Sequence, residues 1–112
     1  MTHEEISTMI ASMGLPYAYN QFSDKDGEHP QGPPYICFLY TRNDDFDADN
    51  VPYARATALA IELNTEEADF ELEQTVEAVL IANELPFYKE QNFIESERMY
   101  QTTYTTEVIL DA

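Results

Sequence analysis

The chain has 112 residues, a length that suits one domain with a single packed core. Its hydrophobic share of 44% and aromatic share of 12% are those of a globular chain rather than a disordered one. The 22 acidic residues against 5 Lys plus Arg give a formal net charge of −17, which argues against a protein that grips nucleic-acid phosphates or an anionic membrane. Two interpretations of the charge stay open: the acidic residues keep the protein soluble, or they form an acidic face that has a specific function.

The single cysteine points to a reducing compartment. Cys37 has no second cysteine with which to form a disulfide in the chain, and it lies in the apolar run YICFLY. We interpret it as a small buried side chain rather than a nucleophile. The sequence shows no basic-then-apolar signal at its start and no apolar run of membrane-spanning length. We therefore expect a protein that is made in the cytosol.

The first predicted element is a short amphipathic helix. Thr2 and Glu5 have the spacing of a capping box, with Thr2 as the N-cap. Four apolar side chains then recur at helical spacing: Ile6, Met9, Ile10 and Met13. Gly14 and Pro16 predict the end of the helix.

A strand and a long loop follow this helix. Residues 17–22 alternate in the manner of a strand, and residues 23–34 are dense in Gly and Pro. This density predicts a loop of about a dozen residues, a length that in small domains is often functional. The candidate interface residues of this loop are Asp24, Asp26, Glu28 and His29.

Two further strands are predicted before the second helix. Residues 35–40 are apolar on both faces, which predicts a central strand covered on both sides by helices or by a neighbouring subunit. Residues 55–63 alternate, with Leu59, Ile61 and Leu63 on one side and Ala56, Ala58, Ala60 and Glu62 on the other. Good helix formers make a helix the alternative there, but Pro52 before the run, its β-branched residues and Asn64-Thr65 after it favour a strand.

The rest of the chain predicts one helix and two strands. The helix starts at Thr65 or Asp69, ends before Pro86 and has an apolar stripe of Leu72, Val76, Val79 and Leu80. Residues 87–93 and 99–110 form the strands, and the second has a clear half-buried pattern: Tyr100, Thr102, Tyr104, Thr106 and Val108 share one face. The prediction is a single α+β domain over residues 1–112, with a mainly antiparallel sheet of about five strands and two helices packed over it, in the order α-β-β-β-α-β-β.

The sequence contains no complete motif of a catalytic, metal-binding or phosphate-binding site. Asp45, Asp47 and Asp49 alternate as at the start of an EF-hand loop, but the sixth position is Asn50 rather than Gly and the twelfth is Ala56 rather than Glu. We therefore interpret this stretch as a solvated acidic loop. The two histidines have no His or Cys at metal-ligand spacing, and no nucleophile or phosphate-binding motif occurs. The sequence predicts no catalytic, cofactor or metal site and no enzyme.

Several segments together give a family resemblance. The chain resembles the tail-terminator or tail-to-head joining (neck) proteins of long-tailed bacteriophages and prophages over nearly its whole length. The segments that carry this resemblance are residues 14–19, 33–40, 43–53, 61–65 and 93–101.

The resemblance implies an α+β subunit that closes into a ring, usually a hexamer, on the end of the tail tube. Such a ring stops growth of the tube and presents a surface to the head connector, while DNA passes through without specific binding. It implies assembly in the host cytoplasm and residence in the virion. It carries over no catalytic residue, cofactor or metal ligand, and no membrane contact.

Two loop hypotheses follow from length and charge. The acidic loop with Asp44, Asp45, Asp47 and Asp49 lines or rims the channel, since carboxylates would repel DNA phosphates. The long loop of residues 23–34 engages a neighbouring subunit or the tube.

Three rival functions remain open. Another neck connector, a stopper or adaptor, would share the composition and the ring. An acidic DNA mimic that inhibits a host protein would explain the charge of −17. A small hydrolase with paired carboxylates is the remaining alternative, although nothing in the sequence places two carboxylates in one pocket.

Overall fold

The computed structural model describes residues 1–21, 32–44 and 55–110. Its helices are α1 (His3–Ala11) and α2 (Phe70–Ala82). Its strands are β1 (Tyr17–Tyr19), β2 (Tyr35–Asp44), β3 (Arg55–Thr65), β4 (Phe87–Ile94) and β5 (Met99–Leu110). They form one sheet in the order β1-β2-β3-β5-β4, in which β1 is parallel to β2 and the other neighbours are antiparallel. The predicted α+β class and element order are confirmed.

Both helices lie on one face of the sheet, which we call the covered face. The core there joins α1 and α2 to the strands through fully buried side chains: Ile6, Ile10, Ile36, Phe38, Leu59, Ile61, Leu63, Val76, Leu80 and Tyr104. The covered face is the one predicted for β5, where Thr102, Tyr104, Thr106 and Val108 are buried. Neither helix lies on the opposite side, the open face, so helices cover β2 on one side only within the described residues, and cover of the other side by a neighbouring subunit stays a prediction.

Strand β3 is the centre of the sheet. It pairs with β2 along one edge and with β5 along the other over its whole length. The predicted strand, rather than the helix, is therefore present, and the predicted division of its side chains between two faces holds. Ala58 and Ala60 are nevertheless buried on the open face, and the partners of Ala60 in register, Leu39 of β2 and Thr105 of β5, have larger side chains that stand beside it.

The helix ends follow the local signals of the sequence. Glu5 N–H donates to Thr2 Oγ1 at 3.1 Å and Thr2 N–H donates to Glu5 Oε1 at 3.0 Å, so the predicted capping box is present. Helix α1 ends at Ala11, earlier than predicted, and Gly14 then adopts a φ of +82°, which glycine tolerates best. Asp69 is the N-cap of α2 and accepts from Leu72 N–H at 3.1 Å.

Two strand boundaries correct the sequence prediction. Strand β1 stops at Tyr19 because Asn20 has a φ of +68°, a left-handed conformation that ends the extended run. Strand β2 continues beyond Tyr40 through a register shift to Asp44, which pairs with Ala56. The prediction that Asp44 belongs to the acidic loop is therefore wrong: β3 offers backbone partners as far as Arg55, and β2 extends to use them.

Candidate functional site

The predicted interface residues fall mostly outside the described part of the chain. Asp44 is the last residue of β2 and pairs with Ala56 of β3. Asp45, Asp47, Asp49, Asp24, Asp26, Glu28 and His29 lie outside the described residues. The two loop hypotheses therefore stay predictions.

A polar network joins α2 to the covered face of β4 and β5. Lys89 Nζ lies 2.7 Å from Glu73 Oε1 and 2.8 Å from Glu77 Oε2. Tyr104 donates its hydroxyl hydrogen to Glu77 Oε2 at 2.8 Å, and the Lys89 ammonium lies 5.8 Å from the centre of the Tyr104 ring. Gln91 donates to Glu73 Oε2 at 3.2 Å and to Thr102 Oγ1 at 2.8 Å. The side chains of Glu73, Glu77, Lys89 and Tyr104, which we call the clamp, thus hold α2 on the sheet.

The network changes the protonation of its members. Burial would raise the pKa of Glu77, but the hydrogen bonds from Lys89 and Tyr104 outweigh it and hold that pKa below its usual value. The hydrogen bonds to Glu73 and Glu77 raise the pKa of Lys89. Burial, followed by the contact with Glu77, strongly raises the pKa of the Tyr104 phenol. The charged Lys89 and Glu77 and the neutral Tyr104 are therefore the stable forms, which suits a structural clamp better than proton transfer near neutral pH.

Sequence analysis did not find this clamp, although two signals were present. Glu73 and Glu77 are four residues apart on a helix and therefore share a side of it. Lys89 occupies a position in β4 with the same parity as Phe87, which lies on the covered face. The pairing of the helix with β4 rather than another strand depends on the tertiary fold, and the local pattern does not contain it.

The open face carries a second, smaller group of polar and sulfur-containing side chains. Tyr35, Cys37 and Met99 form a buried cluster there, with the Tyr35 hydroxyl 3.9 Å from Met99 Sδ. Glu62 pairs with Cys37 on one side and Thr103 on the other. Burial raises the pKa of Glu62. The interpretation of Cys37 as a buried small side chain is confirmed.

Aromatic rings cluster where α1 meets the β1 edge of the sheet. His3 Nδ1 lies 2.6 Å from the Tyr40 hydroxyl, and the His3 ring stacks on Phe38 at 5.8 Å. Tyr19 meets the rings of His3, Phe38 and Tyr40 at 5.2 to 5.4 Å. His3 is therefore part of a packed aromatic group, and the tyrosines of β1 stand at its outer side.

Exposed apolar side chains mark the outside of the subunit. Among the described residues seven large ones are exposed, and four of these lie on the two edge strands: Tyr17 and Tyr19 on β1, Tyr88 and Phe93 on β4. Phe70 and Ile81, each 67% exposed, stand at the two ends of α2 on its outward side. Exposed apolar side chains of this kind are typical of protein contact.

Metal-binding clusters and unpaired buried polar side-chain atoms are both absent from the described residues. Within residues 1–21, 32–44 and 55–110, no group of three or more His, Cys, Asp or Glu side chains could hold a metal ion. In the same ranges every buried side-chain nitrogen or oxygen has a hydrogen-bond partner. A cleft of about 490 Å³ opens beside the start of β4, and Glu107 is the one carboxylate among the residues described as lining it: Ala58, Pro86, Phe87, Tyr88, Thr105, Thr106 and Glu107. None of the described helices has the length and apolar character needed to cross a membrane.

Comparisons with known proteins give a likeness of fold. Neither the models of known protein families nor the curated protein sequences match this chain. Among solved structures, a chain from the virion of a native gene transfer agent particle is similar, with a TM-score of 0.51 and 15% sequence identity. The match covers 95% of this chain and 86% of the other. At this identity the likeness concerns the fold alone.

Proposed function

We propose that this protein is a structural component of a phage or prophage virion. The observation that carries the proposal is the match of 95% of the chain, with a TM-score of 0.51, to a chain of a virion particle. That match agrees with the independent resemblance of the sequence to neck proteins of long-tailed phages. Contact surfaces rather than a reactive pocket are what such a protein needs, and exposed aromatic and apolar side chains supply them here.

Within the virion we propose the role of tail terminator. Copies of the subunit form a ring, a hexamer by the resemblance, that caps the tail tube and joins it to the head connector. The protein is not an enzyme and needs no cofactor or metal in this role. It assembles in the host cytoplasm and then resides in the neck, where DNA passes through without being specifically bound. The charge of −17 supports passage, since carboxylates do not hold phosphates.

The first test is deletion of the gene in the parent phage, followed by electron microscopy of the lysate. Filled heads beside abnormally long, headless tubes are the expected result, because nothing then stops growth of the tube. Expression of the intact gene from a plasmid is the control and restores virions. Heads without DNA beside tails of normal length would instead favour a stopper or adaptor, and normal infectious virions would favour the acidic DNA mimic.

A second test addresses the acidic loop. Replacement of Asp45, Asp47 and Asp49 by Asn and Ser removes three negative charges from the loop proposed to line the channel. We expect particles that assemble but eject DNA more slowly. The control replaces three exposed acidic residues in the same way: Glu66 and Glu67 before α2 and Glu71 in its first turn. Equal ejection by both variants would contradict a channel position for the loop.

A further inference from the structure

The two edges of the sheet are the starting point. In the order β1-β2-β3-β5-β4, β1 and β4 each pair with one described strand only. An edge strand presents unpaired backbone N–H and C=O groups, which can pair with another chain. Strand β4 is eight residues long, and six of them, Tyr88 to Phe93, are exposed. Such a long, exposed edge is a place where a second chain fits.

The side chains of both edges favour protein contact. Tyr88 of β4 is 82% exposed, the largest exposure among the large apolar side chains of the described residues, and Phe93 stands at the other end of the same strand. On β1, Tyr17 and Tyr19 are exposed at 40% and 45%. Tyrosine and phenylalanine are enriched in interfaces, because they bury a large area with few rotatable bonds.

The distribution of charge favours contact between copies at these edges. Copies with a net charge of −17 repel one another over most of their surface. Residues 12–23, which include β1, contain no charged side chain at all. Strand β4 contains one of each sign, Lys89 and Glu90, and the Lys89 charge is already matched by α2. A contact between β4 and β1 therefore brings together the parts of two copies that repel least.

The geometry points to a head-to-tail contact, and we propose that β4 of one copy packs against β1 of the next. The two edges lie at opposite ends of one sheet, so the contact joins unlike surfaces, and its repetition leads to a closed ring or an open filament. A two-fold contact of β4 with β4 would leave both β1 edges uncovered. This inference rests on the proposed ring and adds the surfaces that join it.

Register across the sheet supplies the positions for a test. Ala18, Cys37, Glu62, Thr103 and Glu90 are successive partners in one row from β1 to β4. The proposed contact continues this row from copy to copy, so that Ala18 of one copy lies close to Glu90 of its neighbour. Cys37 is the register partner of Ala18, so it is replaced by Ala in every variant, and the thiols introduced at these two positions are then the only ones.

The experiment is disulfide cross-linking of three variants: Ala18→Cys, Glu90→Cys and the double variant. It is made with purified protein and, separately, in lysates in which particles assemble. We expect a covalent dimer when the two single variants are mixed, little dimer from either alone, and a ladder ending in one closed species from the double variant. Dimer from Glu90→Cys alone that mixing does not increase would replace the proposal by a two-fold contact. Absence of cross-links in both settings would overturn it.

A charge placed on the edge provides an independent measurement. Tyr88→Glu should weaken self-association by about tenfold or more, because a buried interface tyrosine is typically worth that much and the new carboxylate repels the neighbour. The matched control is Ile81→Glu on α2, also exposed but away from both edges. Equal effects of the two variants on the mass of the assembly would contradict the edge contact.

These results separate the inference from the proposed function. Cross-linking of the double variant together with normal virions after gene deletion would preserve the edge contact and refute the neck role. Long headless tubes after deletion together with no cross-links would preserve the neck role and refute the edge contact.

Discussion

The two faces of the sheet carry different kinds of side chain, although the same strands form both. The covered face buries long apolar side chains under two helices, and its Lys89 is held by Glu73 and Glu77 of α2. The open face is built from small and polar side chains such as Ala58, Ala60 and Thr103, with Glu62 among them and no described helix above. Stability is therefore concentrated on the covered face, and the open face and the edges have more freedom to serve contact.

Truncation in the centre of β3 should show the largest difference between the faces. Ile61 is fully buried on the covered face. We expect Ile61→Ala to lower the free energy of unfolding by about 3 kcal/mol, through lost apolar burial and the cavity that remains. Thr103→Ala on the open face is the control and should cost less than about 1 kcal/mol. Urea unfolding measures both, and similar losses would show that the open face also contributes to the core.

Removal of the clamp cation should give the next largest effect. Lys89→Met leaves Glu73 and Glu77 without their positive partner, and Glu73 is almost completely buried. Loss of one member of a fully buried ion pair costs about 3–5 kcal/mol, but Lys89 is about a third exposed and screened by water, so we expect about 2 kcal/mol.

The neighbouring residue provides the control for the clamp. Glu90→Gln changes a charge on the open face of the same strand and should alter unfolding by less than about 0.5 kcal/mol. Thermal unfolding of both variants at neutral pH measures the difference. An equal loss from both would mean that the ion pairs contribute nothing beyond the exposed charges of β4.

Removal of the Tyr104 hydroxyl tests a smaller part of the clamp. Tyr104→Phe keeps the ring in the core and takes one hydrogen-bond donor from Glu77, which should cost about 1 kcal/mol. Because the raised pKa keeps the phenol neutral in the fold, this stability is present below pH 10.0 and is lost as unfolded tyrosine ionises above it. Tyr88→Phe, at an exposed tyrosine, should change neither the stability nor its pH dependence.

The smallest expected effect concerns two glutamates whose contributions to the stability of the fold change in opposite directions with pH. The pKa of Glu77 is lowered in the fold, so its contribution is present above pH 4.5 and is lost as pH falls through the folded value. The pKa of Glu62 is raised, so the fold gains stability as pH falls through the raised value and loses it as pH rises.

Substitution separates the two contributions. Glu77→Gln should lower the melting temperature at neutral pH, with a difference that shrinks in acid. Glu62→Gln should raise it slightly at neutral pH, by less than about 1 kcal/mol in free energy, with a difference that also shrinks in acid. Melting curves between pH 3 and 8 measure both. Shifts in the same direction would show that the two faces do not differ in their treatment of a carboxylate.

Local signals predicted most of the fold. The capping box at Thr2, the alternation of β5 and the Asp69 cap each involve residues close in sequence, and the structure has all three. The sequence did not predict the placement of β5 between β3 and β4, since strand order depends on long-range pairing. The extension of β2 to Asp44 was missed for the same reason, because its partners are supplied by β3.

The site was less predictable than the fold. The clamp forms only because α2 lies over β4, and no local sequence pattern predicts this packing. Which strands form the two edges of the sheet follows only from the strand order. The acidic loop residues were chosen for charge alone, and Asp45, Asp47 and Asp49 lie outside the described residues.

The absence of charge in residues 12–23 has a consequence for the response of the protein to salt. Added salt ordinarily weakens contacts between proteins that rely on opposite charges. Here the acidic surfaces of two copies repel each other, while the proposed edge contact is uncharged on the β1 side. Counterions therefore screen the repulsion between the copies and leave the edge contact intact. With a Debye length of about 30 Å at 0.01 M salt and about 8 Å at 0.15 M, copies should stay apart in dilute buffer and associate at cellular ionic strength.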